Sequence, residues 1–249
     1  MSKIKVFSAG ASGTRFLTDV LMGGWKTASS KAGFAINQRG TTHLPFHRLE
    51  EEYINDFQKA IFIYADPRNI FLSICKKDMY RRHRHLIHLG YLGSPKTTNK
   101  EIQNSLDSIT HKHKPTIPLQ CIMRESEIFQ RLSIQVGSFP GAENLLIKET
   151  ESFSGLQAHF DSWLQSDSSI PIAFVKYEHL PEVIDKISNF IGAQEPVKFE
   201  IAKIMKQNWK SRTSNYINHE CREKLDQLFT PLLNIQKDLP SFWIKEPSV

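Results

Sequence analysis

Apolar residues along the chain fall into short runs separated by small or polar residues, and their spacing predicts strands alternating with helices. Ile4 to Phe7 is an apolar run rich in β-formers, and Ala60 to Tyr64 and Ile170 to Lys176 are two further strand candidates. Near-continuous apolar character of this kind suits strands buried on both faces of a parallel sheet. After the first run come only small residues, Ser8 to Thr14, and then Phe16, Leu17, Val20 and Leu21 share one helical face. Asp66-Pro67 ends the second strand, and Pro67 suits the first turn of a helix running from about Arg68 towards His85. From Gly90 to Pro140 the pattern is broken by Pro95, Pro115, Pro118 and Pro140, which predicts irregular helical material. Leu156 to Leu164 reads as a helix. Pro181 to Ile191 is an amphipathic one, with Val183, Ile184, Ile187, Phe190 and Ile191 at helical spacing and Gly192 as its stop. A last helix is expected over about Glu220 to Leu233. This alternation predicts an α/β fold: a central parallel sheet of about four or five strands flanked by helices, in a single domain over residues 1–249.

The 249 residues suffice for a full core, and the formal charge of +6 favours anionic partners such as nucleotides, acidic glycans or membrane surfaces, although it also serves solubility. Cys75, Cys121 and Cys221 are too few and too scattered for a disulfide framework or a zinc site, so no metal is expected. Neither a signal-peptide pattern at Met1 to Gly10 nor an apolar window long enough for a membrane span occurs, and a reduced, cytoplasmic setting is the expectation. The basic run Lys76 to His85 reads as a solvated helix face or a platform for an anionic ligand. One basic helix with one tyrosine does not make a nucleic-acid surface, and no nucleic-acid partner is expected.

Three stretches carry candidate chemistry. In Gly10-Ala11-Ser12-Gly13-Thr14-Arg15-Phe16, a small-residue loop opens a helix, where backbone N–H groups and the helix dipole attract phosphate. Thr14 can add a hydroxyl donor, Arg15 charge and Phe16 a face for a base. It is not a Walker A sequence, because no lysine follows Gly13. In the second stretch, a strand running into Asp66-Pro67-Arg68 with Ser73 further on places Arg68 and Ser73 at the C-terminal edge of the sheet, where open α/β sheets bind ligands. The third is Thr42-His43-Leu44-Pro45, whose histidine can act as a general base near neutral pH.

In order and spacing these stretches resemble the sulfotransferase family. That family opens with a strand and a Lys-Ser-Gly-Thr-Thr-Trp loop, and Ala11 to Phe16 occupy that place, with Thr14-Arg15 close to its Gly-Thr-Arg variant. Thr41 to Pro45 match its Lys-Thr-His-Leu-Pro except at the lysine. Ala65 to Asn69 with Ser73 match its Arg-Asp/Asn-Pro-Arg/Lys-Asp segment and following serine, except at the first arginine. Lys176-Tyr177-Glu178-His179-Leu180 is similar to its Arg-Tyr-Glu-Asp-Leu, and Lys210 to Tyr216 to its basic loop near the C-terminus. The likeness covers about residues 3–85 and 155–235.

The resemblance implies a P-loop-like fold and transfer of a sulfuryl group from 3′-phosphoadenosine 5′-phosphosulfate (PAPS) to a hydroxyl. It implies His43 as the base, and Ser12, Gly13, Thr14 and Arg15 on the 5′ phosphate and leaving group. It further implies Phe16 against the adenine, Tyr177 near it, and Ser73 and Arg212, with Lys210, on the 3′ phosphate. Three family cations are replaced, by Ala11, Thr41 and Ala65. Arg15 is the substitute for the loop lysine on this reading, with Lys76, Lys77, Arg68, Lys210 and Arg212 as further compensating charge. The alternative is a degenerate relative that binds a nucleotide or glycan without turnover. Residues 86–145 form an insertion expected to shape the acceptor pocket, and their His, Lys and Pro content suits a sugar or another polar acceptor.

Overall fold

The computed structural model describes residues 2–9, 12–28, 34–36, 46, 57–70, 154–210 and 219–248. The chain divides into two compact units, residues 1–65, 162–212 and 239–249 in the first and 66–161 and 213–238 in the second.

The first unit holds a five-stranded sheet. Its strands are β1 (Ser2–Ser8), β2 (Phe34–Ile36), β3 (Lys59–Tyr64), β4 (Ile172–Lys176) and β5 (Phe242–Lys245), in the spatial order β2-β1-β3-β4-β5. The first four strands pair in parallel, and β5 adds to β4 antiparallel. The three strands read from the sequence are present, each within two residues of its expected start. β2 and β5, three and four residues long, are too short to show a period. The antiparallel edge refines the all-parallel expectation. β5 is held there by Lys245, whose ammonium donates to the carbonyl oxygens of Leu164 (2.9 Å) and Ser166.

Alternation along the strands gives the sheet two different faces. On one face Phe7, Phe62, Phe174 and Trp243 stand in register across four neighbouring strands. Trp163 covers this rung, with ring centroids 4.8 Å from Phe7 and 4.7 Å from Phe62, and Trp243 stacks on Phe174 at 4.1 Å. Offset and tilted aromatic pairs of this kind add to the burial energy. On the other face lie Ile61 and Ile63, with Lys59 donating to the Phe190 carbonyl at 2.6 Å.

The helices of this unit are α1 (Thr14–Ala28), α3 (Leu180–Ile191) and α4 (Glu195–Asn208), while α2 (Ser154–Leu164) passes from the second unit into the first. In α3 the predicted stripe Val183, Ile184, Ile187, Phe190 and Ile191 is buried. Gly192 closes the helix in the left-handed conformation with φ 76° and its N–H on the Asn189 carbonyl. α4 was not expected, although Val197, Ile201 and Met205 recur every fourth residue and all three are buried. It packs closely on α1, where a β-carbon on Gly24 would stand 2.4 Å from Ile201. The second unit holds α5 (His219–Lys237), which overruns the expected helix by one residue at its start and four at its end.

Candidate functional site

β1 leaves the sheet at a switch point: the chain goes to β2 on one side of it, while β3 and β4 lie on the other. In open α/β sheets that is where the crevice at the C-terminal strand ends receives ligands. The loop from β1 to α1 lies there. Gly13 is the N-cap of α1, its carbonyl accepting from the Leu17 N–H at 2.9 Å, and its φ is 87°. As a glycine it brings no side-chain acceptor to the first helical amides, and α1 has no acidic residue in its first turn. The helix start therefore presents donors and positive dipole without an internal anion.

Two contacts shape this loop. Ser8 and Thr14 are buried, and their hydroxyl oxygens lie 2.5 Å apart, joining the end of β1 to the start of α1. Tyr177, directly after β4, lays its ring on Gly13, where a β-carbon would fall 2.1 Å from Cε2 and 2.3 Å from Cδ2. Only glycine fits there, both for its φ and for the ring. Ser12 is buried beside it, at 1% exposure.

An aromatic group borders the loop. The Trp209 ring lies 4.9 Å from Tyr177 and 5.8 Å from Phe16. Phe16 and Tyr177 were expected near a base, and the structure brings them together around Trp209, which sequence reasoning passed over. Its signal was available: an aromatic residue just past the end of α4 and directly before Lys210.

Tyr64 ends β3, buried, with its hydroxyl donating to the Pro240 carbonyl at 2.7 Å. Burial, and then the nearby Glu178 carboxylate, push its phenol well above the usual tyrosine range. Ala65, at the place of the family arginine, is 2% exposed.

The cations are distributed differently from the expectation. Arg15 lies on the outside of α1 with its side chain 96% exposed and its Nε 3.8 Å from Asp19. In the second unit Arg68 is held between two carboxylates: its Nε donates to Asp66 at 2.8 and 3.0 Å, and its terminal nitrogens pair with Asp66 and Asp226. Those hydrogen bonds, Asp66 first, raise the guanidinium further above its already high range. Asp66 also accepts from the Arg68 N–H at 2.9 Å, so it caps the helix that begins at residue 67, and Pro67 stands in the first turn, where the sequence placed it. Lys210 is exposed. His43, Ser73 and Arg212, with Ala11, Thr41, Lys76 and Lys77, lie outside the described residues. Among the described residues no group of three or more His, Cys, Asp or Glu is placed to hold a metal ion, and no helix is long and apolar enough to cross a membrane.

A family model described as the sulfotransferase domain matches residues 26–231. The match covers more than half of the chain, so the protein belongs to the sulfotransferase family, as its motifs and mostly parallel α/β sheet indicate. The β1–α1 loop lies ahead of the matched span, and its reading rests on its own geometry. No curated protein and no solved structure matches the chain.

Proposed function

We propose that the protein transfers a sulfuryl group from PAPS to a hydroxyl of a carbohydrate or another polar acceptor. The observation that carries this reading is the β1–α1 loop, with a side-chain-free N-cap at a helix start and three aromatic rings beside it. The loop amides and the hydroxyls of Ser12 and Thr14 suit the 5′ phosphate of the donor, and the rings of Phe16, Tyr177 and Trp209 suit its adenine.

In the proposed reaction the acceptor oxygen bonds to sulfur as the bond from sulfur to the bridging oxygen breaks. Adenosine 3′,5′-bisphosphate leaves, and His43 takes the acceptor proton. Such a transfer depends on positioning and charge neutralisation, as phosphoryl transfer does. Ser73, Lys210 and Arg212 are assigned to the 3′ phosphate. Arg15 is assigned to the bridging oxygen and would have to leave Asp19 to serve it. Arg68 would act from within its pairs with Asp66 and Asp226. Residues 86–145 are assigned to the acceptor within a single catalytic domain, in the expected cytoplasmic setting.

The exposed position of Arg15 favours one second reading, a relative that binds nucleotide or glycan without turnover. Calorimetric titration with adenosine 3′,5′-bisphosphate beside AMP tests the site. Micromolar binding that requires the 3′ phosphate supports it, and absence of binding rejects it. An acceptor screen with labelled PAPS then separates the enzyme from the binder.

A further inference from the structure

We propose that Ser8 is a positioning residue of this loop, aiming the Thr14 hydroxyl proton at the 5′ phosphate of the nucleotide. The inference rests on the nucleotide reading above. Ser8 is the last residue of β1 and Thr14 the first of α1, so their side chains bracket the loop. Their oxygens are 2.5 Å apart. Ser8 is fully buried and Thr14 is 7% exposed, so of the pair only Thr14 has any surface that a ligand could reach.

Two hydroxyls carry two protons, and the contact between them uses one. With Thr14 as donor, its lone pairs would face the bound anion, against the charge. With Ser8 as donor, Thr14 turns its own proton outward, to the same point as the positive end of α1. A bound phosphate therefore selects the second arrangement. Ser8 also holds Thr14 in one rotamer before the ligand arrives, which lowers the ordering cost of binding. No covalent bond changes.

The test titrates adenosine 3′,5′-bisphosphate and adenosine 3′-monophosphate, which lacks the 5′ phosphate, into the wild-type chain, Ser8→Ala, Thr14→Val and the double variant. Thr14→Val should weaken the bisphosphate by about 10–100-fold, the loss of one hydrogen bond to a charged group. Ser8→Ala, removing only the aim, should weaken it by about 3–10-fold. Neither should change binding of the monophosphate, and Thr14→Val should cost clearly less once Ser8 is alanine. Ser8→Cys, close in volume but a weak donor, should show the same selective loss where Ser8→Ala folds poorly. Equal losses for both nucleotides would mean that Ser8 serves packing alone, and strictly additive losses would mean that the two hydroxyls act separately. Either result overturns the inference and leaves the nucleotide site standing. Wild-type protein that binds neither nucleotide overturns the site and the inference with it.

Discussion

Replacing Gly13 by alanine tests the loop geometry at its tightest point. The new β-carbon would lie 2.1 Å from Tyr177 Cε2, where carbon contacts ordinarily settle near 3.5–4.0 Å. Either the ring or the loop must retreat by roughly 1.5 Å, an overpacking that typically costs about 1–3 kcal/mol. The φ of 87° adds a second cost of about 1–2 kcal/mol for any residue with a β-carbon. Gly13→Ala should therefore lose about 2–5 kcal/mol in urea unfolding, and the displaced loop should no longer hold adenosine 3′,5′-bisphosphate in calorimetry. The two costs can be separated. In a Tyr177→Ala background the overlap is gone and only the backbone cost remains, so Gly13→Ala should then cost only about 1–2 kcal/mol. Equal costs in both backgrounds would show that the ring does not rest on Gly13. A Gly13→Ala protein with unchanged stability and affinity would refute the loop geometry altogether.

Trp209→Ala should weaken the bisphosphate by about 1–3 kcal/mol, the usual worth of base stacking. Nucleotide should quench tryptophan emission in the wild type and not in Trp209→Phe. His43→Ala should lower turnover by about 10²–10⁴-fold while sparing nucleotide affinity, and retained turnover in a sulfuryl-transfer assay would reject it as the base. Arg68→Met removes the guanidinium shared by Asp66 and Asp226 and should lower the unfolding free energy by about 1–3 kcal/mol; a weaker Kd for the bisphosphate at unchanged stability would instead make Arg68 a ligand group. Tyr64 has a raised folded-state value, so its contribution to stability is complete below its ordinary value of 10.0 and is lost as pH rises through the folded one. Ultraviolet titration of Tyr64→Phe against wild type should remove one late-ionising phenol, and identical curves would contradict the burial.

The strands and amphipathic helices were legible because burial leaves a period in the sequence. Ile4 to Phe7, Ala60 to Tyr64 and the α3 stripe could be read from hydrophobicity alone, and the place of Pro67 in the first turn of its helix from the fixed φ of proline. The loop was legible as a run of small residues between a strand and a helix. β2 and β5 were not, since three or four residues carry no period and a strand so short is decided by the neighbour it pairs with.

Within the site, residue types and their order along the chain could name Ser12, Gly13, Thr14, Phe16 and Tyr177 together. They could not place Trp209 beside Tyr177, set Ser8 against Thr14 or pair Arg68 with Asp226, 158 residues away in the chain. Local pattern reflects how each segment meets water, which every residue records in its own chemistry. Contacts between distant segments depend on strand order and helix packing, and those follow from the burial of the whole core at once. The chain's motifs thus defined its family and a list of candidate groups. Its folding decided that Tyr177 braces the β1–α1 loop and that Arg15 stands on the outer face of α1.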